Sequence, residues 1–509
     1  MLPLLVASSN PPAIAASLAV AHEKRRTYTG HLLFWGICGA LAATGFFTAN
    51  GLVTSAAFLV PPILAQLLWR KGEPPVLLFG CMIQWLQATA AVFYTNHYHV
   101  TLEEAFGSNE LTVATWLSII AVVVLALGIR CAFLGAGASL QNRIETEASR
   151  VDIKKLAILY VMIVPVAAAL SYASWRLPSI TQLLLGIASL KWAIIFLLCY
   201  CVLHQRRNYG LLAGCLAFEF VMGMFGVFAN FKSVFFVLVV AATASPLALR
   251  GRRLASTIIC FGILFVSGVI WTAVKMDYRE FLANQETANE EAIPIERKFT
   301  KLADLVSSVT WENFADGMDG LIMRVSYVNY FALAIENVPN RVPYENGELW
   351  KGSIMHILTP RLLFPDKPVL DDSERTRLYT GIQVSGMESG TSIGIGYVGE
   401  SYIDFGPVGM FAPIFLLGVF YGLINRFFLT RTQYKLLGAA LAVSVLIFSA
   451  YEIETSNVKL VGGVASVGLV SLVVYLACGR TIANFLKRSP VHKPGVRRFA
   501  AESRTLRPD

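Results

Sequence analysis

The sequence predicts an all-α polytopic membrane protein of about twelve transmembrane helices with one large extracytoplasmic loop. Three observations carry that prediction. Of 509 residues, 55% are hydrophobic and only 15% charged, and the mean hydropathy is +0.59; soluble chains carry roughly 25% charged residues. The apolar residues fall in blocks of about the 20 residues that a helix needs to cross a bilayer. The charges between those blocks are sorted by sign.

In chain order, residues 1–30 read as a cytoplasmic lead-in. They lack a charged start, are broken by Asn10, Pro11 and Pro12, and run into Lys24, Arg25 and Arg26, which argues against a signal peptide. Nine apolar blocks make a first membrane domain over 31–274, at 31–47, 52–69, 76–95, 112–134, 156–174, 181–203, 209–228, 231–249 and 254–274. An outer connection of about 130 residues follows at 275–406. Three further blocks, 407–425, 436–450 and 460–479, complete the membrane domain over 407–479, and a basic tail, 480–509, lies loose or on anionic lipid. With the N-terminus in the cytoplasm, 26 of the 42 Lys and Arg fall inside and 25 of the 33 acids outside. The positive-inside rule therefore places both termini in the cytoplasm. The basic residues are spread over separate inner segments, so the high pI is a topology signal and no nucleic-acid partner is expected. The eight cysteines contain no CxxC pair, which argues against a disulfide framework and a thiolate metal site.

A connection as long as 275–406 is usually functional. Its acids outnumber its bases 20 to 12 and it has no cysteine, so helices and docking must hold it. Tyr278 to Ala292 reads as an acidic helix. Leu302, Leu305 and Val309 repeat at helical spacing, as do Leu321, Val325, Val328, Phe331 and Ile335, with Arg324 at the edge of that stripe, either snorkelling or aimed at a ligand. From Pro339 the periodicity stops, and PNRVPYENGELWKGSIMHILTPRLLFPDKP reads as irregular structure with rigid turns. The glycine-spaced SGMESGTSIGIGYVGESYIDFGPVG then runs into the tenth block; it lets backbone N–H groups approach an anion but is no Walker loop.

A bond-forming site on an outer surface needs a donor that arrives activated, and a polyprenyl-diphosphate-linked sugar is the obvious one. Guanidinium groups suit its leaving diphosphate because their planar fork pairs with phosphate oxygens. The loop offers Arg324, Arg341, Arg361, Arg375 and Arg377, of which Arg375 reads as a solvated charge. His356 is a possible base or a structural histidine. Lys367 either binds phosphate or neutralises Asp366. His97 and His99 have the alternate spacing of two metal ligands but no third, and fit an interfacial aromatic belt better. Lys191 and Glu219 lie inside apolar blocks, where each is costly unless paired, so they should face one another.

The order Arg324, Pro339 to Gly347, Thr359-Pro360-Arg361, Phe364-Pro365-Asp366-Lys367-Pro368, Gly399-Glu400-Ser401-Tyr402 and Phe405-Gly406 resembles the Wzy-type oligosaccharide repeat-unit polymerases of O-antigen and exopolysaccharide synthesis. The matching motifs cover about 90 residues. The resemblance implies a metal-independent glycosyltransferase without a cofactor and with a glycosyltransferase-C-like membrane architecture, in the bacterial inner membrane. It would move a glycan chain from undecaprenyl diphosphate to a lipid-linked repeat unit, alongside a chain-length regulator and a flippase of the same pathway. It carries diphosphate binding to Arg361 and Arg324, with Arg341, Lys367 and Tyr402 as further substrate contacts. Glu400, at the bilayer surface beside the glycines, is the expected base for the acceptor hydroxyl; the alternative is that it caps the tenth span. Two other functions stay open. An O-antigen ligase shares the donor, and an exporter would explain the Lys191–Glu219 pair, although no internal repeat supports a transporter.

Overall fold

The computed structural model describes residues 30–133, 140–224, 231–245, 252–288, 294–386 except 360, 362, 365, 368 and 369, and 392–488. The described residues are helical, and their one β-type contact is an isolated bridge between Val151 and Lys487. The order is α1 (Gly30–Gly45), α2 (Gly51–Leu68), α3 (Val76–His97), α4 (Leu102–Phe106), α5 (Leu111–Ala132), α6 (Leu140–Ser149), α7 (Ile153–Arg176), α8 (Thr181–Gln205), α9 (Tyr209–Met224) and α10 (Lys232–Ala244). There follow α11 (Arg252–Ala288), α12 (Ile295–Ser307), α13 (Trp311–Val325), α14 (Val328–Asn337), α15 (Glu348–Leu358), α16 (Asp372–Thr380), α17 (Gly396–Gly409), α18 (Phe411–Arg431), α19 (Lys435–Leu446) and α20 (Asn457–Leu486).

Among the described residues each of the twelve apolar blocks overlaps a helix; residues 134, 225–228 and 246–249 of those blocks lie outside the described set. Among the described residues seven helices, α2, α3, α5, α7, α8, α18 and α20, are long and apolar enough to cross a membrane, while α1, α9, α10 and α19 are apolar but shorter. The ninth block lies within α11, a 37-residue helix. Helix α7 leaves Val161, Met162 and Trp175 between 61% and 79% exposed, the surface expected of a helix facing lipid rather than water.

Small residues set the closest packing. A Cβ on Gly418 would stand 2.2 Å from the Leu125 carbonyl oxygen, and one on Gly128 2.2 Å from that of Phe415, so α5 and α18 meet backbone to backbone. Gly418 and Gly422 form the GxxxG spacing that permits such approach. On the other side α7 and α8 form a hairpin turned at Pro178–Ile180, and α9 is stapled to them by the predicted pair. Lys191 Nζ lies 3.1 Å from Glu219 Oε2, and the Tyr160 hydroxyl donates to Glu219 Oε1 at 3.0 Å.

The outer connection differs from expectation in three places. Tyr278 to Ala288 is not a separate helix but the continuation of α11; residues 289–293 lie outside the described set. Against α11 lies α13, admitted by Gly317, whose added Cβ would meet the Val269 carbonyl at 2.9 Å. The stretch after Pro339 is not irregular throughout, because α15 forms inside it. Its caps come from distant residues: Asp404 accepts from the N–H groups of Leu349 and Trp350 at 3.0 and 2.9 Å, and Lys367 Nζ donates to the carbonyls of His356 and, at 2.9 Å, Thr359. Asp404 lies far outside any local window around α15, and the role of Lys367 depends on how the chain turns back after Thr359. Finally, the tenth block is preceded by its own buried helix, α17, which ends at a kink where Gly406 takes φ +69°.

Candidate functional site

Helix α17 joins α14 and α15 to the long apolar helices α5, α18 and α20. Its residues 397, 400, 401 and 404 lie about one turn apart on one face, and each is buried and polar. The Tyr397 hydroxyl donates to Gln84 Oε1 of α3 at 2.6 Å. Ser401 accepts from the Trp350 indole N–H at 3.0 Å, and Asp404 caps α15. Helix α3 also fixes the segment before α20, since Gln84 Nε2 donates to the Ala450 carbonyl at 2.8 Å and Gln87 Oε1 accepts from the Ile453 N–H. Gly396, at φ +84°, lets α17 start against that same segment, because a Cβ there would sit 2.2 Å from the Ile453 carbonyl.

This arrangement brings the N-terminus of α20 up to Glu400, which is 3% exposed. Its Oε2 accepts from the Asn457 backbone N–H at 2.8 Å, and its Oε1 faces Arg375 Nη1 of α16 at 3.4 Å. Burial pushes the carboxyl up to about 7; the Asn457 N–H and the Arg375 charge oppose the rise and Asp372 adds to it. Glu400 therefore caps a helix, but the last one rather than the tenth span. The second carboxylate, Asp372, is equally buried. Its Oδ2 lies 2.7 Å from Lys459 Nζ and accepts from the Ser456 hydroxyl at 3.1 Å. Several buried polar atoms around this pair have no hydrogen-bond partner: Asp372 Oδ1, both side-chain polar atoms of Asn457, and the hydroxyls of Ser326 and Tyr327. Tyr327 feels the charges of Glu454, Asp372 and Glu400 and is held well above its ordinary pKa chiefly by burial. Buried polar groups are nearly always paired in native proteins, so this cluster has the character of a site that takes a polar ligand.

The cationic residues predicted from sequence gather in part. Burial, with the charges of Lys367, Arg361 and Arg375, lowers the His356 imidazole to about 4, so these four share one neighbourhood. His356 is thus neutral at physiological pH. Lys367 is tied to the end of α15, as favourable for a cation at a helix C-terminus. Arg361 is half-buried just beyond it, and burial with the Arg361 charge lowers Lys367. Arg324 stands elsewhere, exposed near Lys275 and Arg279 and sensed by Glu454. Arg341 is exposed on the turn after α14. Tyr402 is buried, donates to the Val338 carbonyl at 3.2 Å and packs edge-on against Phe331 and Tyr344, the position of a packing residue. His97 and His99 are exposed at the end of α3.

Sequence reasoning missed Asp372, Lys459 and Asn457, and misread Arg375 as solvated. One signal was present: Asp372, Thr376, Tyr379 and Thr380 recur at helical spacing and all are buried, so α16 presents a polar face to the interior.

No curated protein matches the chain, and no solved structure does. One family model matches residues 75–452, from the start of α3 to the segment before α20 and so through Arg375 and Glu400. By that match over well more than half its length, the chain belongs to the family described as Domain of unknown function (DUF8712).

Proposed function

We propose that the protein is a polysaccharide polymerase of the bacterial inner membrane, transferring a glycan chain from undecaprenyl diphosphate to a lipid-linked repeat unit. The single observation that carries the reading is Glu400, a buried carboxylate poised near pH 7 between a guanidinium and a helix N-terminus. A general base works best with a pKa near the operating pH. Glu400 takes the proton of the acceptor hydroxyl, the freed oxygen bonds to the anomeric carbon, and the bond from that carbon to the diphosphate oxygen breaks. The electron pair leaves with undecaprenyl diphosphate, whose growing charge meets Arg375 and Arg361. The contact between Arg375 and Glu400 is long for a charge-assisted hydrogen bond, so the guanidinium can exchange the carboxylate for phosphate. The unpartnered groups of Asp372, Asn457 and Tyr327 suit acceptor sugar hydroxyls.

The topology belongs to the same proposal: twelve spans, both termini cytoplasmic, and the Glu400 cluster outside. Supporting it, Arg70, Arg150, Arg206, Arg431 and Lys487 lie at or just beyond the C-terminal ends of α2, α6, α8, α18 and α20. The test is the glycan of a strain carrying Glu400→Gln at wild-type protein level. Single-repeat product supports the polymerase. Normal chain lengths remove Glu400 from the chemistry; unattached lipid-linked polymer would instead assign a ligase, and repeat units held inside the cell an exporter.

A further inference from the structure

We infer that the end of the molecule opposite Glu400 holds a binding site for one anionic phospholipid. Helix α20 has 30 residues, so its C-terminus stands about 45 Å from the Glu400 site. There the last turn of α20 meets the start of α7, the end of α8, the short amphipathic helix α6 and the start of α19, around a cavity of about 300 Å³. The cavity has two characters. Its walls include Leu156, Leu437 and Leu486, and its rim carries Arg143, Arg150 and Lys487.

The rim's one acid does not neutralise those cations by contact. Glu147 is committed to α19, its Oε1 and Oε2 accepting from the Lys435 and Leu436 N–H groups at 3.1 and 2.8 Å. The buried Lys435 ammonium donates to the carbonyls of Thr430 and Thr432, both at 2.6 Å, and is likewise held by the fold. Arg143 and Arg150 are exposed at the rim. A cationic rim over an apolar chamber fits an amphiphile with an anionic head. The ends of three helices able to cross a bilayer, α7, α8 and α20, converge on the spot, which sets it at the depth of lipid headgroups. Basic pockets between spanning helices on the cytoplasmic side take anionic lipid heads in this way. The phosphate would lie on Arg143 and Arg150 and one acyl chain would enter between Leu156 and Leu437.

The inference does not depend on the proposed chemistry, since the two sites share only α20. Its test uses the full chain purified in a non-ionic detergent and titrated with phosphatidylglycerol, followed by native mass spectrometry. The wild-type protein should retain one phosphatidylglycerol and no phosphatidylcholine of the same chains. Arg143→Gln with Arg150→Gln should weaken retention about 30-fold, from about 1 kcal/mol for each basic residue near an anionic lipid surface. Leu437→Trp, which narrows the chamber where the acyl chain would enter and keeps every charge, should weaken it as well. Equal retention of phosphatidylcholine, or unchanged retention in both variants, overturns the site. Competition by glycerol phosphate at the lipid's own concentration would overturn the lipid and leave an anion site without a chain.

Discussion

Replacing Arg375 by Met keeps the apolar stem and removes the guanidinium 3.4 Å from Glu400. The cost depends on pH in a calculable way. Glu400 has its folded pKa raised from 4.5 to about 7, so its contribution to stability is full below about 4.5 and is lost as pH rises through about 7. At pH 6 the carboxyl is mostly protonated in the wild-type protein, and a neutral acid loses almost nothing with its cation. At pH 8 the wild-type carboxylate is ionised against Arg375. The variant must either ionise alone in a buried site or keep its proton, and keeping it costs about 1.4 kcal/mol per pH unit above the wild-type midpoint. Protonation therefore caps the charge-linked loss at about 1.4 kcal/mol at pH 8, well short of the roughly 3–5 kcal/mol of a stranded buried charge. Unfolding free energies from denaturant titration in micelles, at pH 6 and pH 8, measure this directly. Arg375→Met should be near wild type at pH 6 and weaker by up to about 1.4 kcal/mol at pH 8, and adding Glu400→Gln should abolish the difference. An equal loss at both pH values would refute the reasoning, because the arginine would then act through packing and not through the Glu400 charge.

Four other outcomes follow, three from the geometry and the last from the proposed function. Lys191→Met and Glu219→Gln should each destabilise by about 3–5 kcal/mol, with the double variant recovering part of it; melting curves of the three proteins suffice, and a fully additive double variant would break the pairing. Gly418→Ala should cost about 1–3 kcal/mol, since its methyl would meet the Leu125 carbonyl at 2.2 Å. Gly210→Ala in α9, with open space at its Cβ, should be neutral or stabilising by up to about 1 kcal/mol in the same melting assay. Arg361→Lys should leave expression intact but lengthen few glycan chains, as seen on a gel of cell-surface polysaccharide, because a lysine lacks the planar fork.

The long apolar helices were legible because a twenty-residue apolar block is a local, summed signal. So was the Lys191–Glu219 pair, since burial leaves two opposite charges few alternatives. Between α11 and α15 helix was legible where an apolar stripe ran at helical spacing, as from Leu321 to Ile335, although that stripe is broken at Ser326 and Tyr327 into α13 and α14. Helix α15 was hidden because its caps, Asp404 and Lys367, lie outside its own span, and α17 because glycine and proline spacing masked a helix whose first residue, Gly396, admits the neighbouring Ile453 backbone. At the site, Glu400 stood out as an acid beside glycines, but its partners did not. Arg375 and Asp372 sit in a segment rich in charge that reads as solvated, and it is the packing of α16 against α14, with the contacts of Asp372 to Ser456 and Lys459 and of Arg375 to Glu400, that takes them out of solvent. Tyr402, singled out from the same motif as Glu400, points to the opposite lesson: neighbours in sequence on α17 enter an apolar packing or a polar cluster according to the face they occupy.

The most direct test of the account is the pH dependence of polymer formation by the purified protein on undecaprenyl-diphosphate-linked repeat units. Because Glu400 must be deprotonated to accept the hydroxyl proton, the initial rate should climb about tenfold per pH unit below about 7 and level off above it. Glu400→Gln should lie about 10²- to 10⁴-fold lower and lose that step. A wild-type rate that does not change through pH 7, or a Glu400→Gln protein that polymerises at the wild-type rate, would contradict the claim that this buried carboxylate is the base.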